Sequence, residues 1–258
     1  MRSGSKVDLD RRRTRLAGEQ RTAARWPWPR AAGAVAVLAL TGCASAPGAG
    51  APAAGPPDPA VERAVIEATA IDSLLHVIFA WNLIDADNAR FSGEGVTRYQ
   101  PPDRARLDLF GPRGGTYLQA AVVGAELRLP PDKQDAPLPP PALLWGVLGL
   151  IRPPQDAQLV GTAVDGGRTR LDYARGDDRW TFLVTDGRLD SIEWVSSDGG
   201  RRTVRLQGSG DAGLPAEAVY RDWRGHVELR LNLKEAWTED EFPPDIWTIG
   251  RGSGSNGR

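Results

Sequence analysis

The apolar positions of this chain change rhythm along its length. From Ala60 to Ala80, Val61, Ala64, Val65, Ala68, Ile71, Leu74, Leu75 and Ile78 recur at spacings of three and four. That spacing predicts a helix with one inward stripe, on which His76 falls near the end. Asp58-Pro59 supplies a start, and Glu62 places an acid in the first turn, where the helix dipole favours negative charge.

Afterwards the period is two. "RARLDLF" sets Ala105, Leu107 and Leu109 against Arg104, Arg106 and Asp108, and "HVELRLNLK" sets Val227, Leu229, Leu231 and Leu233 against Glu228, Arg230, Asn232 and Lys234. Such alternation predicts antiparallel strands with one apolar and one wet face. Between them, "RWTFLVTDGRLDSIEWVSSDGGRRTVRLQ" reads as three strands joined at Asp186-Gly187 and Asp198-Gly199-Gly200, both strong hairpin signals. Continued along the chain, this reading gives roughly ten strands in meander order. A sheet that wide curls around its apolar face.

One segment interrupts the strands. "LPPPALLWGVLGLIRPP", Leu138 to Pro154, is a short helix fenced by prolines, with Leu143, Leu144, Trp145, Val147, Leu148, Leu150 and Ile151 nearly all round it. A helix apolar on every side must be covered. Either it plugs the curved sheet as core, or it is a lid over a cavity that opens for an apolar ligand.

Composition changes the picture most at the front. Arginines at 11, 12, 13, 15, 21, 25 and 30 precede the ten-residue apolar run Ala31 to Leu40. This is the layout of a secretory signal, and the run is too short for a membrane span, which needs about 20 residues. Residues 1–42 carry nine of the 32 basic and three of the 33 acidic residues, so the remaining 216 residues hold 23 and 30, a balance of −7. An acidic export product is a poor partner for nucleic acid or for anionic lipid. The single cysteine, Cys43, follows the apolar run in Leu40-Thr41-Gly42-Cys43. A lone thiol has no disulfide or metal-motif partner within its chain.

That four-residue stretch resembles the lipobox of bacterial lipoproteins, in which the cysteine becomes the first residue of the mature protein. The resemblance implies ester-linked chains carried on the sulfur and a further chain on the new amine. At about 0.8 kcal/mol per buried methylene, two or more chains anchor a protein where one does not. Residues 43–59 are then the lipidated cysteine with a tether, "ASAPGAGAPAAGPPDP", too poor in apolar surface to fold. Residues 60–250 form one domain, long enough for a single substantial core, and residues 251–258 a disordered tail.

The body also carries a resemblance. An amphipathic helix is followed by "FSGEGVTRYQPPDRARLDLFGPRGGTYLQAAVVGAELRL", Phe91 to Leu129, then the mid-chain apolar helix, then "LPAEAVYRDWRGHVELRLNLKEAWTEDEFPPDIWTI", Leu214 to Ile249. This order is similar to the LolA/LolB lipoprotein-localisation superfamily. The resemblance implies an α+β, mainly β fold: a strongly curved, antiparallel, open half-barrel with an N-terminal helix and an apolar lid or plug helix. It also implies a cavity for acyl chains of lipoproteins or other lipids. Leu143, Leu144, Trp145, Leu148 and Ile151 would form the lid, and Leu107, Leu109, Trp180, Phe182, Ile192 and Trp194 the walls. A lipidated Cys43 places the chain with the LolB-like members, which face the periplasm from the outer membrane and receive cargo from a LolA-like carrier. Those members present a leucine in a Pro-Leu-Gly hairpin. Here the matching hairpin is Gly111-Pro112-Arg113-Gly114-Gly115, with Arg113 at the leucine's place and Phe110 as the nearest apolar substitute.

Other chemistries are thin. His76 and His226 lie outside any metal-spaced cluster, and His226 belongs to a turn. "GSGDAG", Gly208 to Gly213, is followed by Leu214-Pro215 where a nucleotide-binding turn must open a helix, and reads as a loop. Glu235, Glu239, Asp240 and Glu241 lack calcium-loop spacing and read as a solvated face. No serine or cysteine sits in a nucleophile elbow. The expectation is a protein without enzymatic activity or cofactor. It either moves acyl chains or serves as a docking module with a packed interior. Seven tryptophans lie beyond residue 43, at 81, 145, 180, 194, 223, 237 and 247, as core filling or as the lining of an apolar cavity.

Overall fold

A computed structural model describes residues 52–249. Cys43, the leader and the tail from residue 251 lie outside these residues.

The first helix, α1 (Pro59–Ala68), begins as the sequence dictates. The Asp58 carboxylate accepts from the backbone N–H of Ala60 at 2.9 Å, and proline occupies the first helical position, where no donor is lost. The helix ends after ten residues, not at Ala80. Leu74 to Ile84 form β1, in which Leu75, Val77, Phe79, Trp81 and Leu83 are buried and their neighbours are not. The apolar run at 74–84 satisfies both periods, and its β-branched and aromatic residues fit a pleated surface better than a helix. His76 therefore sits on a strand.

Eleven further strands follow: β2 (Arg90–Gln100), β3 (Arg104–Phe110), β4 (Thr116–Val123), β5 (Glu126–Arg128), β6 (Gln158–Asp165), β7 (Arg168–Arg175), β8 (Asp178–Thr185), β9 (Arg188–Val195), β10 (Arg201–Gln207), β11 (Glu217–Asp222) and β12 (Val227–Glu239). All pair antiparallel in one twelve-stranded sheet, in the order β5-β4-β3-β2-β1-β12-β11-β10-β9-β8-β7-β6. The sheet is thus two meanders that meet where β1 pairs with β12. The strand read as helix accounts for part of the excess over ten. Asp186 (φ 50°) and Gly187 (φ 75°) make the tight β8–β9 turn expected of Asp-Gly.

The sheet is an open, strongly curved half-barrel. Register shifts at Ile78/Phe79, Leu109/Phe110, Leu159/Gly161 and Leu183/Val184 mark bulges, which sharpen the bend of the strands they interrupt. Its apolar face wraps a core that includes Trp81, Tyr99, Phe182 and Ile192. The chain crosses from the β5 edge to the β6 edge through α2 (Pro141–Val147), which is seated on that core.

Two terminal segments lie on the sheet. Gly55 bridges Thr162 on the β6 edge, its N–H donating to the Thr162 carbonyl at 2.7 Å, and the Thr162 hydroxyl donates to the Pro56 carbonyl at 2.8 Å. The last residues of the expected tether are thereby hydrogen-bonded to an otherwise open edge. On the outer face, a 3-10 turn at Pro244–Trp247 covers β3, where Arg106 Nη1 donates to the Ile246 carbonyl at 2.7 Å. Beneath it Asp108 is buried. Its carboxylate accepts from Arg98 (2.8 Å), Arg106 (3.0 Å) and Gln119 (3.0 Å).

Candidate ligand-binding site

The prolines that fence the mid-chain segment set where α2 begins: Pro140 precedes it and Pro141 occupies its first position. Seven residues make a helix too short to be stable alone, so tertiary contacts hold it. Leu143, Leu144, Trp145 and Val147 are buried in the helix, and Leu150 and Ile151 just after it. Gly146 permits the close approach, since a Cβ there would lie 2.1 Å from Ile192 Cδ1 on β9. Trp145 Nε1 donates to the Gly124 carbonyl at 3.0 Å, and the Trp145 ring meets Tyr99 edge-on at 6.2 Å. The helix is therefore fastened to both wings of the sheet.

Among the described residues, two small apolar hollows beneath α2 measure about 30 and 20 Å³, each large enough for little more than one water. In this state α2 is seated as a plug. A much larger cleft, about 660 Å³, opens beside it, between the β2–β3 and β4–β5 turns on one wing and β7 to β9 on the other. The start of α2 and residues 152–156 form its remaining wall. The volume falls in the range of small-molecule sites, about 300–1,000 Å³.

An aromatic ladder backs the cleft. Trp180 and Trp194 face each other in the β8–β9 register and stack at 5.7 Å with an interplanar angle of 11°. Arg202 lies over Trp194 at 4.6 Å and Arg175 over Trp180 at 5.2 Å, so cation–π contacts close both ends. Each arginine is itself held, Arg202 by Asp222 at 2.7 Å and Arg175 by Asp156 and Asp178, both at 3.1 Å. Arg152 Nη2 donates to the Pro102 carbonyl at 2.7 Å across the cleft's edge. Among the described residues, two buried side-chain polar atoms have no hydrogen-bond partner, Arg152 Nε and Trp194 Nε1. Both residues line this cleft.

The residues singled out in the sequence separate into three groups. Leu143, Trp145, Trp180 and Trp194 line the large cleft. Leu107, Leu144 and Leu148 surround the smaller cavity under α2, and Leu148 also reaches a second hollow of about 370 Å³ near the end of α1. Leu109, Ile151, Phe182 and Ile192 fill the core. Phe110 is half-buried, and its carbonyl accepts from Trp81 Nε1 at 3.1 Å. Arg113 is exposed in the β3–β4 turn. His76 stacks on Trp237 at 4.3 Å, and burial, followed by the charge of Arg98, holds its pKa below the ordinary value despite Glu239 at 3.3 Å.

Sequence reasoning missed Arg152, Arg175, Arg202 and Asp222. Arg152 carried a signal, as the only charge in the stretch from Leu138 to Pro154. The partnership of Arg202 with Trp194 was readable in principle by counting outward from the Asp198-Gly199-Gly200 turn, because both residues are in register across β9 and β10.

No protein-family model and no curated protein matches the sequence. Solved structures do match in backbone. A LolA superfamily protein from Nitrosomonas europaea superposes with a TM-score of 0.50 at 13% identity, over 72% of this chain and 97% of that one. A DUF1329 family protein from Desulfovibrio piger gives 0.49 at 8% identity over 75% and 98% of the two chains. A putative outer membrane lipoprotein-sorting protein domain from Vibrio parahaemolyticus gives 0.46 at 7% over 73% and 95%. With its open antiparallel half-barrel and its helical cover, this chain has a LolA/LolB-like fold.

Proposed function

We propose that the protein is a membrane-tethered acceptor of acyl chains, anchored through a lipidated Cys43, which takes up the acyl chains of lipoproteins or other lipids and helps deliver them to the outer membrane. The observation that carries this reading is the cleft of about 660 Å³ beside α2, lined by Leu143, Trp145, Trp180 and Trp194. No covalent chemistry is involved. Each methylene moved from water to an apolar wall gains about 0.8 kcal/mol, so cargo passes down a gradient of affinity. The chain enters beside α2, and displacement of α2 would extend the site onto the core face of the sheet. A LolA-like periplasmic carrier is the donor in this scheme. The exposed Arg113 meets headgroups at the tip of the β3–β4 turn, since an arginine stem can lie along apolar surface while its charge stays in water.

The test uses the full-length chain carrying Cys43→Ala, purified from a periplasm and analysed by native mass spectrometry and lipid extraction. Co-purifying acyl chains, lost in Trp145→Glu, are the expected result. A protein that is empty and also refuses pyrene-labelled fatty acids overturns the reading. The anchor has its own test: an alkynyl palmitate label enters the wild-type chain and is absent from Cys43→Ala.

A second reading is favoured by the tight seating of α2 over cavities of only about 30 and 20 Å³. In it the half-barrel is a docking module of the envelope, its interior filled by its own side chains. Failure of every acyl probe, with the fold intact by circular dichroism, selects this reading.

A further inference from the structure

The cleft has a polar end as well as an apolar wall. Arg152 Nε and Trp194 Nε1 are buried and unpartnered in a protein whose other buried side-chain polar atoms, among the described residues, are satisfied. A buried donor left without an acceptor costs about 1–3 kcal/mol, and more when it is charged. Both donors belong to residues of one cleft, and neither side chain is free to turn elsewhere. The guanidinium of Arg152 is tied to the Pro102 carbonyl through Nη2 at 2.7 Å. The indole of Trp194 is clamped between Trp180 and Arg202.

We propose that these two N–H groups receive a carbonyl-type oxygen at the head of an acyl chain whose tail lies along Leu143, Trp145 and Trp180. This rests on the acyl-chain reading above and specifies which end of the ligand lies where. The other charges of the cleft are compatible with such a head. Arg152 and Arg175 are matched by Asp103 and Asp156, and Arg175 is already bound to Asp156 and Asp178. A neutral ester oxygen therefore suits the site as well as a carboxylate does. Both donors are also buried. The oxygen reaches them through a local movement of the cleft wall, which the recovered hydrogen bonds favour.

The test compares three pyrene-labelled probes of equal chain length on the full-length Cys43→Ala chain: a hexadecyl hydrocarbon, the corresponding acid and its methyl ester. The two oxygen-bearing probes are expected to bind about tenfold more tightly than the hydrocarbon, the ratio that corresponds to one net hydrogen bond to a charged or buried donor. Trp194→Phe keeps a ring for Trp180 and Arg202 to stack on and removes the donor. It should erase most of that ratio, read as oxygen-bearing against hydrocarbon binding within the same variant, so that any change in apolar affinity cancels. Arg152→Met should do the same from the other side. Preference for the acid over the ester identifies a free fatty acid as the ligand, and parity or preference for the ester identifies an acylated glycerol. Equal binding of all three probes, or a ratio that survives both substitutions, overturns the donor pair. Failure of all three to bind overturns the acyl-chain reading and this inference with it.

Discussion

A single methyl group at position 146 would collide with Ile192, its carbon 2.1 Å from Cδ1. Gly146 is therefore the residue through which α2 reaches the sheet, and its replacement tests how firmly the plug is held. Gly146→Val should lower stability by about 1–3 kcal/mol, the usual cost of overpacking, and should raise the binding of an apolar dye, both read in one thermal melt. Asp108 is the second residue on which much rests. Its carboxylate is buried on the outer face and accepts from Arg98, Arg106 and Gln119. Asp108→Ala leaves two cations without their partner under the 3-10 turn at Pro244–Trp247 and should cost about 3 kcal/mol in a urea melt. The sequence shows Asp108 only as one polar position in an alternating strand. The turn over β3 is held by the bond from Arg106 to the Ile246 carbonyl across 140 residues of chain, and no local pattern records that contact. Cys43 is the opposite case, since its proposed role was legible from four residues and lies wholly outside the described part of the molecule.

Among the elements, those with a single unambiguous period were legible and those with two were not. The alternation of β3, of β8 to β10 and of β12 put their buried apolar positions on one face as expected, while Asp108 on β3 and Thr203 on β10 are buried on the other. The run from Leu74 to Ile84 fits both spacings, and the long helix read there divides into α1 and β1. The mid-chain helix was legible from its prolines, but not whether it plugs or covers, because that depends on what lies beneath it. It is seated on the core, its seven residues held by packing and by the Trp145 Nε1 bond to the Gly124 carbonyl. Helices of this length have little stability of their own. Amide exchange over residues 138–151 should therefore run far ahead of exchange in β1 and β12, and should slow when a long-chain ester is bound. Equal protection of α2 and β1 in the empty protein would mean that the helix is a fixed part of the core and does not yield to a ligand.

For the molecule as a whole, the four tyrosines report its integrity. All four, Tyr99, Tyr117, Tyr173 and Tyr220, have pKa values raised above the ordinary 10.0, in each case chiefly by burial. Tyr220 is pushed up to about 12, with the negative charge of Asp222 adding to burial. A phenol with a raised folded pKa stays protonated in the native state while its unfolded counterpart ionises. Its contribution is present in full below about pH 10 and is lost as pH rises through about 12. Urea melts should hold steady from neutral pH to about pH 10 and weaken steeply beyond, and Tyr220→Phe should blunt that fall by up to about 3 kcal/mol. The hairpins that build each wing were readable from their turns, whereas the pairing of β1 with β12 was not, since it joins strands from opposite ends of the domain. That pairing has a consequence for how the protein is made. A chain that leaves a ribosome or a translocation pore N-terminus first keeps its sheet divided until Glu239 has emerged, so the seam is the last thing to close. In space the strands run as one unbroken meander from β6 through β12 and β1 to β5. A circular permutant that links residue 249 to residue 52 and opens the chain near Asp135 brings β12 and β1 much closer in sequence, with α1 still between them. It should refold faster than the natural order while reaching the same native fluorescence. The natural order leaves its two wings apart until β12 has emerged, and until then each wing is a separate run of hairpins with its seam edge unpaired.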